Sequence, residues 1–308
     1  MKFIEKLNKI WEKNNSFVCV GLDPDLTKIP QFLLEKEYPI FEFNKAIIDA
    51  TADLVCAYKP QVAYYAGQDC EKELQMTITY LSENYPEIPI IFDSKRGDIG
   101  STAEMYAKEV FDRYGADSVT VNPLMGTDTL KPFLDYEDKG VIALCRTSNP
   151  SGDEIQNLIA NDKPVYKIIA EYARDKWNYN NNLLLVVGAT YPEELGEIRK
   201  VCPDMPFLVP GIGAQGGDVE KVLANGLTKD GLGLVINSSR GIIYASKDKD
   251  FAEASKNATI ELRDLINKYR VWTKRFWEKC LRSPSAKTLY RTNRIWKYHK
   301  AFIAIEVK

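Results

Sequence analysis

The chain has 308 residues, 45% hydrophobic and 27% charged, which is ample material for a buried core and excludes a disordered or fibrous protein. No apolar run approaches 18 residues, so no membrane span is expected, and Met1-Lys2-Phe3-Ile4-Glu5-Lys6 lacks the apolar stretch of a secretory signal. Six scattered cysteines with no CxxC pair argue against a zinc site or disulfide framework and for a reducing, cytoplasmic setting. The single histidine, His299, almost rules out chemistry built on a histidine base or a histidine-ligated metal.

The net charge of −2 is unevenly spread. Residues 271–308 hold ten Lys and Arg against two acids, a balance of +8, with three of the five tryptophans; residues 1–270 carry −10. This shift divides the chain into a main domain, 1–270, and a short basic, Trp-rich C-terminal extension, 271–308.

Within the main domain, short apolar runs alternate with amphipathic stretches. In chain order, strand Phe17–Leu22 precedes helix Phe41–Asp53, and strand Leu54–Tyr58 precedes helix Cys70–Asn84. Strand Pro89–Phe92 leads to helix Thr102–Tyr114, opened by a capping box at Ser101-Thr102-Ala103-Glu104. Strands Ser118–Val121 and Val141–Leu144 come next, then helix Val165–Trp177. Strands Leu183–Val187, Phe207–Val209 and Leu234–Ile236 alternate with helices Glu193–Val201 and Val219–Asn225, and helix Phe251–Lys268 closes the series. The runs are nearly continuously apolar, as in parallel strands buried on both faces. Eight of them in about 250 residues predict an α/β protein, a (β/α)8 TIM barrel. A doubly wound sheet usually has fewer strands, and no GxGxxG follows the first. Trp11 and Trp177 read as packing, Tyr64-Tyr65 as a helix core contact, and Glu35–Glu37 and Glu193-Glu194 as solvated faces.

In this fold the chemistry lies at the C-terminal strand ends, and these are charged. The sharpest cluster is Asp93-Ser94-Lys95-Arg96-Gly97-Asp98 after the third strand. Asp93 and Lys95 share a face of an extended chain, and Asp98 follows in the loop, so two carboxylates are expected around one ammonium. An internal salt bridge is the alternative, but adding Lys59 and Asp23 from neighbouring strands makes an alternating acid–base chain, and buried ion networks are poor stabilisers. After strands seven and eight, Gly211, Gly213, Gly216 and Gly217 with Gln215 and Arg240 suggest a phosphate cradle.

Gly21-Leu22-Asp23-Pro24-Asp25, Tyr58-Lys59-Pro60, Asp93-Ser94-Lys95-Arg96-Gly97-Asp98-Ile99-Gly100, Arg146-Thr147-Ser148-Asn149-Pro150, Pro210-Gly211-Ile212-Gly213-Ala214-Gln215 and Asn237-Ser238-Ser239-Arg240-Gly241 together resemble the orotidine 5′-phosphate decarboxylase family, in its longer bacterial branch (type 2). The resemblance runs from about Phe3 to Tyr269. It implies conversion of orotidine 5′-phosphate to UMP, the last step of UMP synthesis, without metal or organic cofactor. By position, Lys95 is implied as the general acid at C6, Asp93 as the neighbour of the substrate carboxylate, and Asp98 as a catalytic group reaching across a homodimer interface. Lys59 and Asp23 are implied at the ribose, Thr102 at the partner's ribose, and Ser148 at the pyrimidine. Gln215 and Arg240 are implied at the phosphate, and Pro210 as a further substrate-binding residue. One departure is Gln61, where the branch usually has asparagine.

The rival on the same barrel is a sugar-phosphate decarboxylase or aldolase, which generally needs Mg2+. For the extension, an unrelated C-terminal addition is favoured over nucleic-acid or membrane-surface binding through its interleaved tryptophans.

Overall fold

The computed structural model describes residues 1–212 and 217–282, with side chains through Arg270. Eight parallel strands form the barrel wall: β1 (Val18–Leu22), β2 (Ala57–Pro60), β3 (Ile91–Arg96), β4 (Ser118–Val121), β5 (Gly140–Arg146), β6 (Leu183–Val187), β7 (Phe207–Pro210) and β8 (Leu234–Ser238). The hydrogen-bonded order is β2-β1-β8-β7-β6-β5-β4-β3. The remaining seam, β2 to β3, is closed by parallel bridges Tyr58–Ile90 and Gln61–Asp93 and by the Tyr58 N–H donating to the Pro89 carbonyl at 3.0 Å. The expected barrel is therefore present. Its β-branched, almost fully buried strands are what a wall covered on both faces requires.

Helices Pro39–Thr51, Glu71–Asn84, Gly100–Lys108, Val165–Tyr172, Pro192–Val201 and Val219–Gly226 cover the outside. Helix Thr127–Leu134, absent from the sequence reading, fills the β4–β5 connection despite Pro132 inside it. A further unpredicted helix, Phe3–Lys13, buries Phe3, Leu7, Ile10 and Trp11, with the Phe3 N–H on the Asp138 carbonyl (2.9 Å) and Lys6 on Asp117 (2.7 Å). It therefore lies against the N-terminal ends of β4 and β5, the end opposite the chemistry. Trp11 and Trp177 are buried, as packing residues should be. Tyr65 is also buried, bonded to Asn44 and the Leu22 carbonyl.

One sequence expectation fails locally, and two expected helices are present with a modified last turn. The capping box does not form: Ile99 is the N-cap without a side-chain bond, and Gly100, at φ 54°, turns the chain so that Ser101 already lies inside the helix. The helices expected over 102–114 and 165–177 each finish in a wider π-turn, Glu109–Arg113 and Ala173–Trp177. The last helix runs from Phe251 to Arg282, so the compositional boundary at 270 falls inside it. Residues 283–308 of the extension lie outside the described residues. Among the described residues no helix is long and apolar enough to cross a membrane.

Candidate active site

The barrel brings Asp23, Lys59, Asp93 and Lys95 together at the C-terminal ends of β1, β2 and β3. Lys59, at 4% exposure, donates to Asp93 Oδ2 at 2.7 Å and lies 3.9 Å from Asp23 Oδ1. Asp93 Oδ1 accepts from Lys95 Nζ at 2.8 Å. The chain of alternating charge is thus Asp23–Lys59–Asp93–Lys95. The ammonium held between two carboxylates is that of Lys59 rather than Lys95. Asp98 makes no ion pair with Lys95 among the described residues; its Oδ1 accepts from the Ile99 N–H at 2.8 Å. The expectation of Asp93 and Asp98 around Lys95 thus fails within one chain: Asp98 is held at the start of the next helix, its carboxylate on the Ile99 N–H and its carbonyl accepting from the Thr129 hydroxyl.

Backbone geometry explains how Lys95 reaches Asp93. Simple alternation along the strand is not the reason: the β3–β4 register shifts between Phe92 and Arg96, and Lys95 sits at φ 48°, a left-handed conformation that a non-glycine residue adopts at a cost of about 1–3 kcal/mol. Thr120, in β4, holds this turn. Its hydroxyl accepts from the Lys95 N–H (3.0 Å) and donates to Asp93 Oδ1 (2.7 Å). Sequence reasoning missed Thr120, since a β-branched residue in a strand reads as wall. Arg96 fixes the next residue by a two-pronged bond to Glu109 (3.0 and 2.8 Å) and lies over the Tyr106 ring.

Burial alone would raise the Asp93 carboxyl, but the Lys59 and Lys95 ammoniums outweigh it and hold the group below the usual carboxylate range. Burial likewise pulls Lys59 down, and Asp93 and Asp23 more than reverse it, so Lys59 is held above the ordinary lysine value. Lys95 extends outward, its side chain 46% exposed. The site therefore presents an ionised carboxylate with an outward ammonium beside it, both anchored from below.

The other predicted residues line the same mouth. Asp23 Oδ2 accepts from Ser239 Oγ at 2.5 Å, and this bond ties the β1 loop to the β8 loop. Gln61 turns its amide oxygen back on the Ala63 N–H (3.4 Å), a local helix cap. Ser148 is half-buried after β5, and Thr102 is exposed near the start of helix Gly100–Lys108. Pro210 ends β7, beyond which the Gly217 N–H closes back on the Gly211 carbonyl at 3.1 Å. Arg240, exposed, opens a short helix, Arg240–Ile243, and has no ion pair among the described residues. Gln215 lies outside the described residues. Glu194 corrects the solvated-face reading: its carboxylate binds the buried Arg146 guanidinium. Among the described residues no three His, Cys, Asp or Glu side chains gather to hold a metal ion.

Fold and mouth define a (β/α)8 barrel enzyme with an acid–base chain at the C-terminal face. The model of the orotidine 5′-phosphate decarboxylase / HUMPS family matches residues 16–255. The orotidine 5′-phosphate decarboxylase of Ralstonia pickettii (strain 12J) is 54% identical over 270 residues, which are 88% of this chain and 100% of that protein. Among solved structures, the OMP decarboxylase of Leishmania donovani has a TM-score of 0.76 at 36% identity, over 88% of this chain and 100% of that one. The UMP synthase of the same organism has a TM-score of 0.78 at 38% identity, over 88% of this chain and 57% of that longer one. The chain belongs to the orotidine 5′-phosphate decarboxylase family.

Proposed function

We propose that residues 1–270 decarboxylate orotidine 5′-phosphate to UMP, the last step of UMP synthesis, and that residues 271–308 are a basic extension outside the catalytic domain. The observation that carries this reading is the Asp23–Lys59–Asp93–Lys95 chain at the barrel mouth. Losing CO2 from C6 leaves a carbanion that no ring carbonyl can delocalise. A fixed ammonium stabilises such localised charge and then protonates it, and Lys95 is the ammonium free of a second carboxylate in the chain. Asp93, kept ionised by its two lysines, faces the departing carboxylate. Repulsion between these two anions is relieved as CO2 forms. Lys59 keeps Asp93 in place and, with Asp23, binds the ribose hydroxyls. Ser148 contacts the pyrimidine, while Pro210, Gln215 and Arg240 border the phosphate, whose binding energy is spent on ordering the site. No cofactor enters these steps.

The test is loss of pyrimidine absorbance with formation of UMP by the pure protein. Turnover that persists in EDTA supports the reading. Turnover that vanishes with the chelator favours the Mg2+-dependent rival, and folded protein that forms no UMP refutes decarboxylation.

We also propose a homodimer with shared sites, in which Asp98 and Thr102 serve the partner's substrate. Among the described residues Asp98 has no lysine partner, and the segments after β3 and β4 expose Ile99, Met105, Leu124 and Met125, apolar residues suited to a subunit contact. Mixing inactive Lys95→Ala with inactive Asp98→Ala should restore activity, because a mixed dimer rebuilds one intact site. A mixture that stays inactive despite subunit exchange refutes sharing.

A further inference from the structure

Arg146, the last residue of β5, is the largest charged side chain with no exposure to solvent. Its guanidinium is held on every side. Nε donates to Glu194, Nη2 to Asp153 and Nη1 to Gln156 Oε1 at 3.1 Å, and its Cζ lies 3.7 Å from the centre of the Tyr191 ring. These partners come from two loops of the mouth. Asp153 and Gln156 belong to the short helix Asp153–Gln156 after β5, whereas Tyr191 and Glu194 open the helix after β6.

The network closes around one residue. Gln156 also accepts from the Thr147 N–H (2.9 Å) and donates to Thr147 Oγ1 (2.8 Å), pinning the residue just before Ser148. From the β6 side, the Gly188 N–H donates to the Arg146 carbonyl at 2.8 Å, and Thr190 Oγ1 donates to the Ser148 carbonyl at 3.2 Å. Gly188 lies so close that a Cβ on it would come within 2.8 Å of Ser148 Cα. Ser148 is thereby clasped between two loops whose common fastening is the Arg146 guanidinium. Burying an arginine with two carboxylates gains little over apolar packing of equal volume, so stability alone does not account for it. What the fork contributes is fixed geometry in five directed donors.

We propose that Arg146, with Glu194, is a positioning residue for the pyrimidine end of the substrate: it locks the β5 and β6 loops together and so sets where the Ser148 hydroxyl stands. The inference rests on the reading of Ser148 as the pyrimidine contact. Removing Arg146 itself would leave Gln156, Asp153 and Glu194 all without their shared partner and open a cavity at the end of β5, so the test is placed on Glu194.

Kinetics with orotidine 5′-phosphate and affinity for UMP are measured for Glu194→Ala, Glu194→Gln, Ser148→Ala and the double variant Glu194→Ala/Ser148→Ala. Alone, Glu194→Ala should lower kcat/KM by roughly 10- to 100-fold, the range expected when a binding group is displaced by about 1 Å. Glu194→Gln, which keeps a neutral acceptor, should recover part of that loss. In the Ser148→Ala background the Glu194 substitution should cost less than about threefold, because there is no hydroxyl left to position. A merely structural role would lower both backgrounds alike. Equal Glu194 losses with and without the Ser148 hydroxyl overturn the proposal, whatever the melting temperatures. Should the unaltered protein turn over no orotidine 5′-phosphate, the functional reading falls instead, so the two failures are told apart.

Discussion

The two sides of the barrel mouth are built differently. On the β1–β4 side, Lys59, Asp93, Lys95 and Thr120 are linked to one another by bonds of 2.7–3.0 Å. After β8, which pairs with β1, Arg240 is exposed and without an ion pair among the described residues. The first side needs no rearrangement when charge develops, which is what electrostatic catalysis requires. The second offers a side chain that, on the proposed reading, takes the substrate phosphate as its partner. If the proposed roles hold, chemistry is preorganised while binding is completed by substrate, an arrangement suited to converting phosphate affinity into order at the reacting carbon.

Substitution on the preorganised side should give the larger effects. Lys95→Ala removes the outward ammonium and should nearly abolish turnover while UMP affinity stays within about tenfold, since this ammonium acts chiefly on the transition state. Single-turnover rates and UMP titration check this; substantial residual turnover would break the contrast. Asp93→Asn deprives the buried Lys59 of its closest carboxylate, and unpairing a buried ion pair costs about 3–5 kcal/mol of stability. Chemical denaturation measures that loss.

Stability should also depend on pH with a definite sign. Asp93 is held below its ordinary range, so its contribution is complete above the unfolded carboxylate pKa of about 3.9 and is lost as pH falls from there through the folded value. Lys59 is held above its ordinary range, so its contribution is complete below the unfolded pKa of about 10.4 and is lost as pH rises through the folded value. Between these limits the pair should give a flat melting-temperature profile. In Asp93→Asn the acid-side loss assigned to this residue should disappear.

On the phosphate side the expected effect is intermediate. Arg240→Ala should cost about 1.5–3 kcal/mol of binding, the worth of one charge-assisted contact, and should also slow turnover as organising energy is lost. UMP affinity left unchanged by Arg240→Ala would remove this residue from the phosphate site.

Legibility in the sequence follows the same division. Ser118–Val121 and Leu183–Val187 are bounded as their apolar runs suggest, because a buried parallel strand leaves a continuous hydrophobic signature. β3 runs on to Arg96, beyond the expected Phe92, because its last residues are polar and charged and so end the apolar run before the strand ends. The charges Asp93, Lys95, Lys59 and Asp23 could be found because nothing in packing explains them, but which carboxylate serves which lysine was not legible. That depends on the bulge and left-handed turn at Lys95, a feature of tertiary contact. Arg146 and Glu194 escaped for a related reason: an acidic pair near a helix start reads as solvated until the arginine at the end of the neighbouring strand β5 is seen beneath it. Helix Phe3–Lys13 was readable, with Phe3, Leu7, Ile10 and Trp11 at helical spacing.

Thr120 gives the smallest expected effect and the finest test of preorganisation. Thr120→Val keeps the branched shape of the wall but removes one hydroxyl that serves two groups, the Lys95 N–H and Asp93 Oδ1. Asp93 retains both lysines, so the carboxylate remains ionised and the fold remains intact. What is lost is the brace on a backbone turn that is itself unfavourable. A single hydrogen bond of this kind contributes about 0.5–1.5 kcal/mol net, so kcat should fall by roughly 2- to 13-fold. UMP affinity should barely move, because no phosphate contact is touched. If kcat is unchanged, the brace is dispensable and the lysine's position is set by its carboxylate alone. If UMP affinity falls as far as kcat, the two sides of the mouth are coupled through β4 and the division between preorganised chemistry and ligand-completed binding does not hold.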